Sequence, residues 1–368
     1  MTNLYDLDFP ALEARLMGWG GTHGHAREVW AWLYRQWPVD FEHLPDLPGA
    51  LRERLVAETT LGVPTVLTRQ EAPDGKTRKD LLQLADGERV EVVLLRYRER
   101  RSACISTQVG CACGCRFCAT GQSGFTRQLS AGEISAQVLH FQRELAIQGQ
   151  RLSNFVLMGM GEPLLNYDHT LAALHRLSDP RGLGFAPRRI TLSTVGIAPG
   201  IERLSTERLP LNLAISLHAA TDDLRSQLLP INRRYPLDVL FASVEQYTQR
   251  TGRRIMFEWV MIDGINDTRE QANALAARLA GLPVHVNLIR LNPIPEYTAQ
   301  PSTPEAIATF VTILDRAHIP HTLRQSRGGA IAAGCGQLRR AVVVSPGGEN
   351  AGKITTVEED LAALVVEE

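Results

Sequence analysis

Residues 154–163 read NFVLMGMGEP. The apolar run over 155–158 is strand length, and it breaks into Gly159, Gly161 and the acid Glu162 where the strand should end. The same unit recurs as RRITLSTVG (188–196), LNLAISLHA (211–219), RIMFEWVMI (254–262), VHVNLIRLNP (284–293) and HTLRQSR (321–327). Helical segments fall between these runs, near 168–177 and 236–250, after Asp267-x-x-Glu270, and from an N-cap at Thr303 with Pro304 at the first helical position. Six or so apolar strands alternating with helices predict an α/β chain whose parallel sheet is covered by helices. No dinucleotide-binding or P-loop glycine fingerprint accompanies the strands. Instead polar residues close them: Gly161/Glu162, Ser193/Thr194, Ser216/His218 and Asn292. A (β/α) barrel builds its site on that rim, so the pattern predicts an open or partial barrel rather than a doubly wound sheet.

Upstream of the barrel the pattern changes twice. Residues 1–62 read as a small helical accessory domain. In HAREVWAWLYRQW (25–37), Val29, Trp32/Leu33 and Trp37 share a helical face, and 51–61 is a second amphipathic candidate. His23, His25, Arg27 and Arg35 are its candidate RNA contacts, with surface or capping roles as the alternative. Over 63–100, turn signals at 73–75 (Pro-Asp-Gly) and 86–87 (Asp-Gly) flank KTRKDLLQLA and RVEVVLLRY, which predicts a β-hairpin extension carrying Glu91. The core spans 101–350, and 351–368 is an acidic tail. Ser130 and Glu133 form a capping-box signature, with Leu129 and Ile134 placed as a hydrophobic staple, opening a helix to about residue 148.

At 368 residues, 44% hydrophobic and 21% charged, the chain has ordinary globular composition and room for two or three domains. No apolar stretch of about 18 residues appears and the N-terminus lacks a basic-then-apolar signal, so the expectation is a cytoplasmic protein without membrane contact. Of 39 Lys and Arg residues only Lys76, Lys79 and Lys353 are lysine, and the net charge is −1. Arginines recur in runs at 96–101, 188–189, 233–234, 253–254 and 339–340. Guanidinium forks suit phosphate, while solvated surface charge is the plainer explanation.

Five of six cysteines crowd into ACISTQVGCACGCRFCATGQSGF (103–125); the sixth is Cys335. So dense a cluster suits metal or redox chemistry better than a disulfide framework. Cys111, Cys115 and Cys118 form a C-x3-C-x2-C array that can converge on one metal centre. Zinc and ordinary [4Fe–4S] sites take four protein ligands, so three leave a metal position open for a small molecule. Cys113, two residues from both Cys111 and Cys115, is read as a passenger. A four-cysteine zinc or Fe–S protein that includes it is the non-catalytic alternative.

With Phe117 before its last cysteine, this array resembles the loop of radical S-adenosyl-L-methionine (AdoMet) enzymes, and GMGEP (159–163) resembles their motif for the AdoMet amino group. More narrowly, CISTQVGC (104–111), GFTRQLS (124–130), GMGEPLLNY (159–167), ITLSTVG (190–196), SLHA (216–219), LNPIPE (291–296) and AAGCGQL (332–338) resemble the RlmN family of RNA adenine-C2 methyltransferases. The related Cfr family, which modifies adenine C8, is the nearest alternative.

The resemblance implies a partial (β/α)6 radical AdoMet barrel, one [4Fe–4S] cluster held by Cys111, Cys115 and Cys118, and AdoMet contacts from Gly161, Glu162, Ser193, Ser216, Leu217, His218 and Asn292. It further implies substrates in 23S rRNA at the peptidyl-transferase centre and in tRNA at the adenosine 3′ to the anticodon, a flavodoxin-type electron donor, and a monomer. Because adenine C2 is electron-poor, the family first methylates the cysteine matching Cys335 and adds that carbon to C2 as a radical. By the same match Glu91 accepts the C2 proton. Cys104 resolves the adduct and leaves a transient Cys104–Cys335 disulfide.

Overall fold

The computed structural model describes residues 1–324 and 327–338. The acidic tail and the arginines at 339–340 lie outside the described residues. One ten-stranded sheet dominates: β1 (Thr65–Glu71), β2 (Thr77–Gln83), β3 (Arg89–Arg96), β4 (Arg101–Cys104), β5 (Asn154–Leu157), β6 (Ile190–Thr194), β7 (Asn212–Ser216), β8 (Ile255–Met261), β9 (Val284–Arg290) and β10 (His321–Arg324). Neighbours in the sheet are neighbours in sequence from end to end. β4 to β10 are mutually parallel, as the alternation with helices requires, and β1 to β4 are antiparallel.

Two features of this sheet differ from the sequence reading. The expected hairpin has a third strand, β1, every residue of which is exposed; TVLTRQE offers no alternating apolar face to announce it. The strands are also continuous with the barrel, because β4 pairs antiparallel with β3 and parallel with β5. RSAC is only four residues and holds no apolar run, so its strand character comes from pairing on both sides.

The N-terminal residues form α1 (Phe9–Gly18), α2 (His23–Ala31) and α3 (Gly49–Glu58). Phe9, Leu12, Leu16, Trp30, Leu33 and Tyr34 are buried there. His25 completes a capping box with Thr22, and Arg35 donates to the carbonyls of Pro180 and Gly182. Both are therefore engaged within the protein. The helix α4 (Ala131–Ile147) begins at the expected capping box, Ser130 Oγ and Glu133 satisfying each other's backbone N–H. α5 (Tyr167–Ser178) follows β5, α6 (Ala198–Leu204) follows β6, and α7 (Asp222–Leu228) and α8 (Leu237–Thr251) follow β7. The helix after β8, α9 (Arg269–Leu279), is capped by Thr268, which accepts from the Gln271 N–H; Asp267 accepts from the Gly264 N–H instead. That moves the expected cap by one residue. α10 (Pro304–Arg316) starts at Thr303 as read.

Candidate active site

The cysteine loop is pinched at its base by a two-stranded ladder between Gln108–Gly110 and Phe125–Gln128. Gly110 sits at φ +82°, and a Cβ there would lie 2.0 Å from the Gly124 carbonyl oxygen, so the closure demands glycine. Cys111, Cys115 and Cys118 then line one cavity with Gly161, Glu162, Ser193, Ser216 and His218. Cys113 is fully buried and is not among the residues lining it. Burial, then the neighbouring thiols, push Cys115 well above the usual thiol range; burial likewise raises Cys118, against N–H donors at Gly121 and Thr120. Thiols so crowded ionise together only beside a cationic centre. The donor set therefore fits a [4Fe–4S] cluster in which each of the three thiolates would bind one iron and the fourth iron would stay open.

The cofactor candidates divide by strand geometry. Gly161 has φ +101° and packs so closely that a Cβ would lie 2.6 Å from Gln108 Cβ. Burial raises Glu162 to about 7, although its carboxylate accepts the N–H groups of Leu164 (3.0 Å) and Val195 (2.8 Å). Those bonds leave further lone pairs for an ammonium. Ser193 and Ser216 face the cavity from β6 and β7. His218 has φ +58°, and its Nδ1 accepts the Val260 N–H at 3.0 Å, so Nε2 carries the proton. Burial, and then Arg225, depress the ring to about 3, which keeps it neutral. Leu217 lies out of phase with Ser216 and His218: its side chain is fully buried in the core, its N–H donates to Glu258, and its carbonyl accepts from Arg225.

Below this cavity lies a second chamber holding Cys104, Cys335, Asn292, Arg324 and Arg327. Met158, Glu258, Ile289, Cys335 and Leu338 line both, so the two are lobes of one channel through the barrel. The Cys335 loop is stitched onto the cysteine loop: the Ala119 N–H donates to the Gly336 carbonyl (2.7 Å) and Thr120 Oγ1 to that of Leu338 (2.5 Å). Asn292 Nδ2 donates to the Cys335 carbonyl at 3.0 Å, and a Cβ on Gly334 would meet that amide at 2.8 Å. Cys335 is exposed by surface area, although protein crowds around its thiol, and it lines both lobes. Burial first, and then Cys335, push Cys104 up to about 12, so the two thiols are near enough to influence each other's ionisation.

Glu91 is buried on β3 and ion-paired with Lys79 at 2.9 Å. Lys79 also donates to the Ala332 carbonyl, three residues before Cys335. Glu91 thus lies beneath the Cys335 loop and is not among the residues lining the chamber. The one carboxylate among the described residues lining that chamber is Glu258, which the sequence reading passed over. Its Oε1 accepts from Asn287 (2.8 Å), its Oε2 has no hydrogen-bond partner among the described residues, and Arg324 stands 3.8 Å away. Burial raises its pKa. The available signal was an acid at the centre of the apolar run IMFEWVM, where a charge is costly unless it serves a purpose. Arg225, also fully buried, was missed too; it donates to the carbonyls of Val195, Ser216 and Leu217 and braces the ends of β6 and β7.

Comparison with known proteins adds to this geometry. The family model for the "Ribosomal RNA large subunit methyltransferase N-terminal domain" matches residues 2–61, and that for the "Radical SAM superfamily" matches 105–276. The chain is 49% identical over 340 residues to "Dual-specificity RNA methyltransferase RlmN 1" of Myxococcus xanthus (strain DK1622), covering 92% of this chain and 95% of that protein. It is 49% identical over 320 residues to "Probable dual-specificity RNA methyltransferase RlmN" of Moorella thermoacetica, covering 86% and 90%. The crystal structure of a radical SAM methyltransferase from Sphaerobacter thermophilus superposes with a TM-score of 0.90 at 46% identity, covering 93% of this chain and 100% of that one.

Proposed function

Since the chain belongs to the RlmN family of radical AdoMet RNA methyltransferases, we propose that it forms 2-methyladenosine in 23S rRNA at the peptidyl-transferase centre and in tRNA at the adenosine 3′ to the anticodon. Superfamily membership brings a [4Fe–4S] cluster and AdoMet as cofactors. Cys111, Cys115 and Cys118 are the residues to hold the cluster. Gly161, Glu162, Ser193, Ser216 and His218 surround the place for AdoMet; Leu217 would act through its backbone and Asn292 through the Cys335 loop. When bound, these cofactors supply a transferable methyl group and a 5′-deoxyadenosyl radical. A flavodoxin-type electron donor, a cytoplasmic location and a monomeric state complete the reading, alongside the absence of any membrane-length apolar helix among the described residues.

The observation that carries this function is the continuous channel: three cysteines line one lobe, Cys104 the other, and Cys335 both. A thiol shared between lobes can take a methyl group on one side and deliver carbon to adenine on the other. Cys335 accepts the methyl on sulfur, yields a hydrogen atom from it, and adds the carbon to C2. By the family match Glu91, held by Lys79 behind the chamber wall, is the acceptor of the C2 proton, while Glu258 is the carboxylate that lines the chamber itself. Cys104 attacks the Cys335 sulfur to form the disulfide, the one electron left over would return to the cluster, and a proton on the transferred carbon completes the methyl group of the released RNA. The test is anaerobic incubation of reconstituted enzyme with AdoMet, reductant and unmodified RNA, followed by nucleoside mass spectrometry. Methyl on adenine C2 supports the reading; methyl on C8 replaces it with the Cfr-type reaction. A protein that binds zinc through four cysteines and leaves RNA untouched overturns both.

A further inference from the structure

Two of the arginine runs meet at the end of the barrel opposite the cysteine triad. The loop after β3 brings Arg98, Arg100 and Arg101, and the turn before β6 brings Arg188 and Arg189, to one broad bowl that Arg151 completes. Glu99 is the one carboxylate among its lining residues. Arg98, Arg100, Arg151, Arg188 and Arg189 are exposed and make no ion pair among the described residues, whereas Arg69, Arg78, Arg96, Arg127 and Arg181 are each matched with an acid. In a chain of net charge −1, this is local concentration of positive charge rather than a general excess.

The bowl is the outer mouth of the channel. It shares Tyr97, Arg100, Asn154 and Thr191 with the chamber of Cys104 and Cys335. At the threshold the guanidinium groups of Arg100 and Arg327 lie over the Tyr97 ring, 4.2 and 4.4 Å from its centroid. A base that reaches Cys335 has the cofactor lobe beyond it, so its ribose and the adjoining phosphates must trail toward the open end. We propose that this bowl grips the RNA backbone on either side of the target adenosine, which is turned out of its stack through the Tyr97 threshold. The proposal rests on the reading that the substrate is RNA, and it names the surface and the arginines that hold it. Guanidinium groups on two chain segments suit phosphates that diverge from a flipped nucleotide. An acidic electron-carrier protein is the other polyanion to consider. The triad that takes the electron lines the far end of the channel, which favours RNA.

The experiment compares wild type, Arg188→Glu/Arg189→Glu, Arg188→Lys/Arg189→Lys, Arg98→Glu, and Arg269→Glu as a charge-reversal control at the start of α9. RNA affinity and methylation of an anticodon stem-loop are measured against salt, with cluster absorbance as the folding control. The double Glu variant should lose about tenfold or more in RNA affinity, and its log–log salt dependence should flatten by about 1.5 for two lost phosphate contacts. Arg98→Glu should shift in the same direction, while the Lys pair stays near wild type. Wild type that methylates RNA beside Glu variants with unchanged affinity and salt slope overturns the bowl and leaves the function standing. Wild type that methylates no RNA removes the function, and the bowl with it. Glu variants that keep RNA affinity and turn over normally with dithionite, but fail with a reduced flavodoxin, would make the bowl an electron-carrier dock and overturn the proposal.

Discussion

His218 adopts a left-handed backbone conformation at the end of β7, in contact with Phe117 of the cysteine loop (ring centroids 4.8 Å apart). Its ring stays neutral down to about pH 3 in the fold, whereas an unfolded histidine protonates near 6.5. As pH falls from about 6.5 toward 3 the unfolded chain gains a proton the native one refuses, so stability is lost across that window, by about 5 kcal/mol at most. Asn tolerates the same backbone and retains an acceptor for the Val260 N–H. His218→Asn should therefore flatten the dependence of urea midpoint on pH between those limits; an unchanged slope would assign the acid sensitivity elsewhere. Glu258 offers a second test. Burial first, and then the Glu258 carboxylate, hold the Cys335 thiol above its usual range. Glu258→Gln removes the second influence, so the pH profile of Cys335 methylation, followed by intact-protein mass spectrometry, should move to lower pH. Sequence reading found the residues that repeat a recognisable motif, such as Glu162 and His218. It missed Glu258, whose meaning depends on which chamber a mid-strand acid faces.

The joint between the antiparallel strands and α4 holds a cluster of charged side chains. Asp80 on β2 is fully buried and accepts from Arg69 (3.1 Å), Arg78 (3.0 Å) and His140 (2.8 Å), while both arginines also meet Glu144 one helical turn after His140. Burial would raise the Asp80 carboxyl, but His140, Arg78 and Arg69 outweigh it and hold the group below the usual range. Asp80→Ala removes the buried acceptor of His140 and leaves Glu144 as the one acid beside Arg78, at a cost of about 3 kcal/mol. Denaturant unfolding should show that loss, and a change below about 1 kcal/mol would mean Glu144 alone suffices. The capping box of α4 and the Thr303 cap of α10 were legible because caps are local chemistry. β4 was not, since four residues become a strand only when β3 and β5 pair with them.

Across the whole molecule, the long-range fact is that Cys104 and Cys335 share a chamber. Their proposed roles separate cleanly: Cys104→Ala should trap a covalent protein–RNA adduct, seen as a slow band on denaturing gels, because carbon transfer proceeds without resolution. Free methylated RNA formed at the normal rate would remove Cys104 from the mechanism. Cys335→Ala should abolish RNA methylation with the iron content intact, and loss of iron would make Cys335 a ligand. Sequence by itself determined the alternating α/β architecture, the three-cysteine array and the glycines of 159–163. Each of these is written in a periodicity, a spacing or a backbone requirement within a few residues. Tertiary structure alone decided that the two lobes form one channel, that Glu258 and not Glu91 lines its thiol chamber, and that arginines near 98 and 188 share one mouth. Such facts are distances between strands set by pairing and barrel curvature, and no local pattern of residues encodes them.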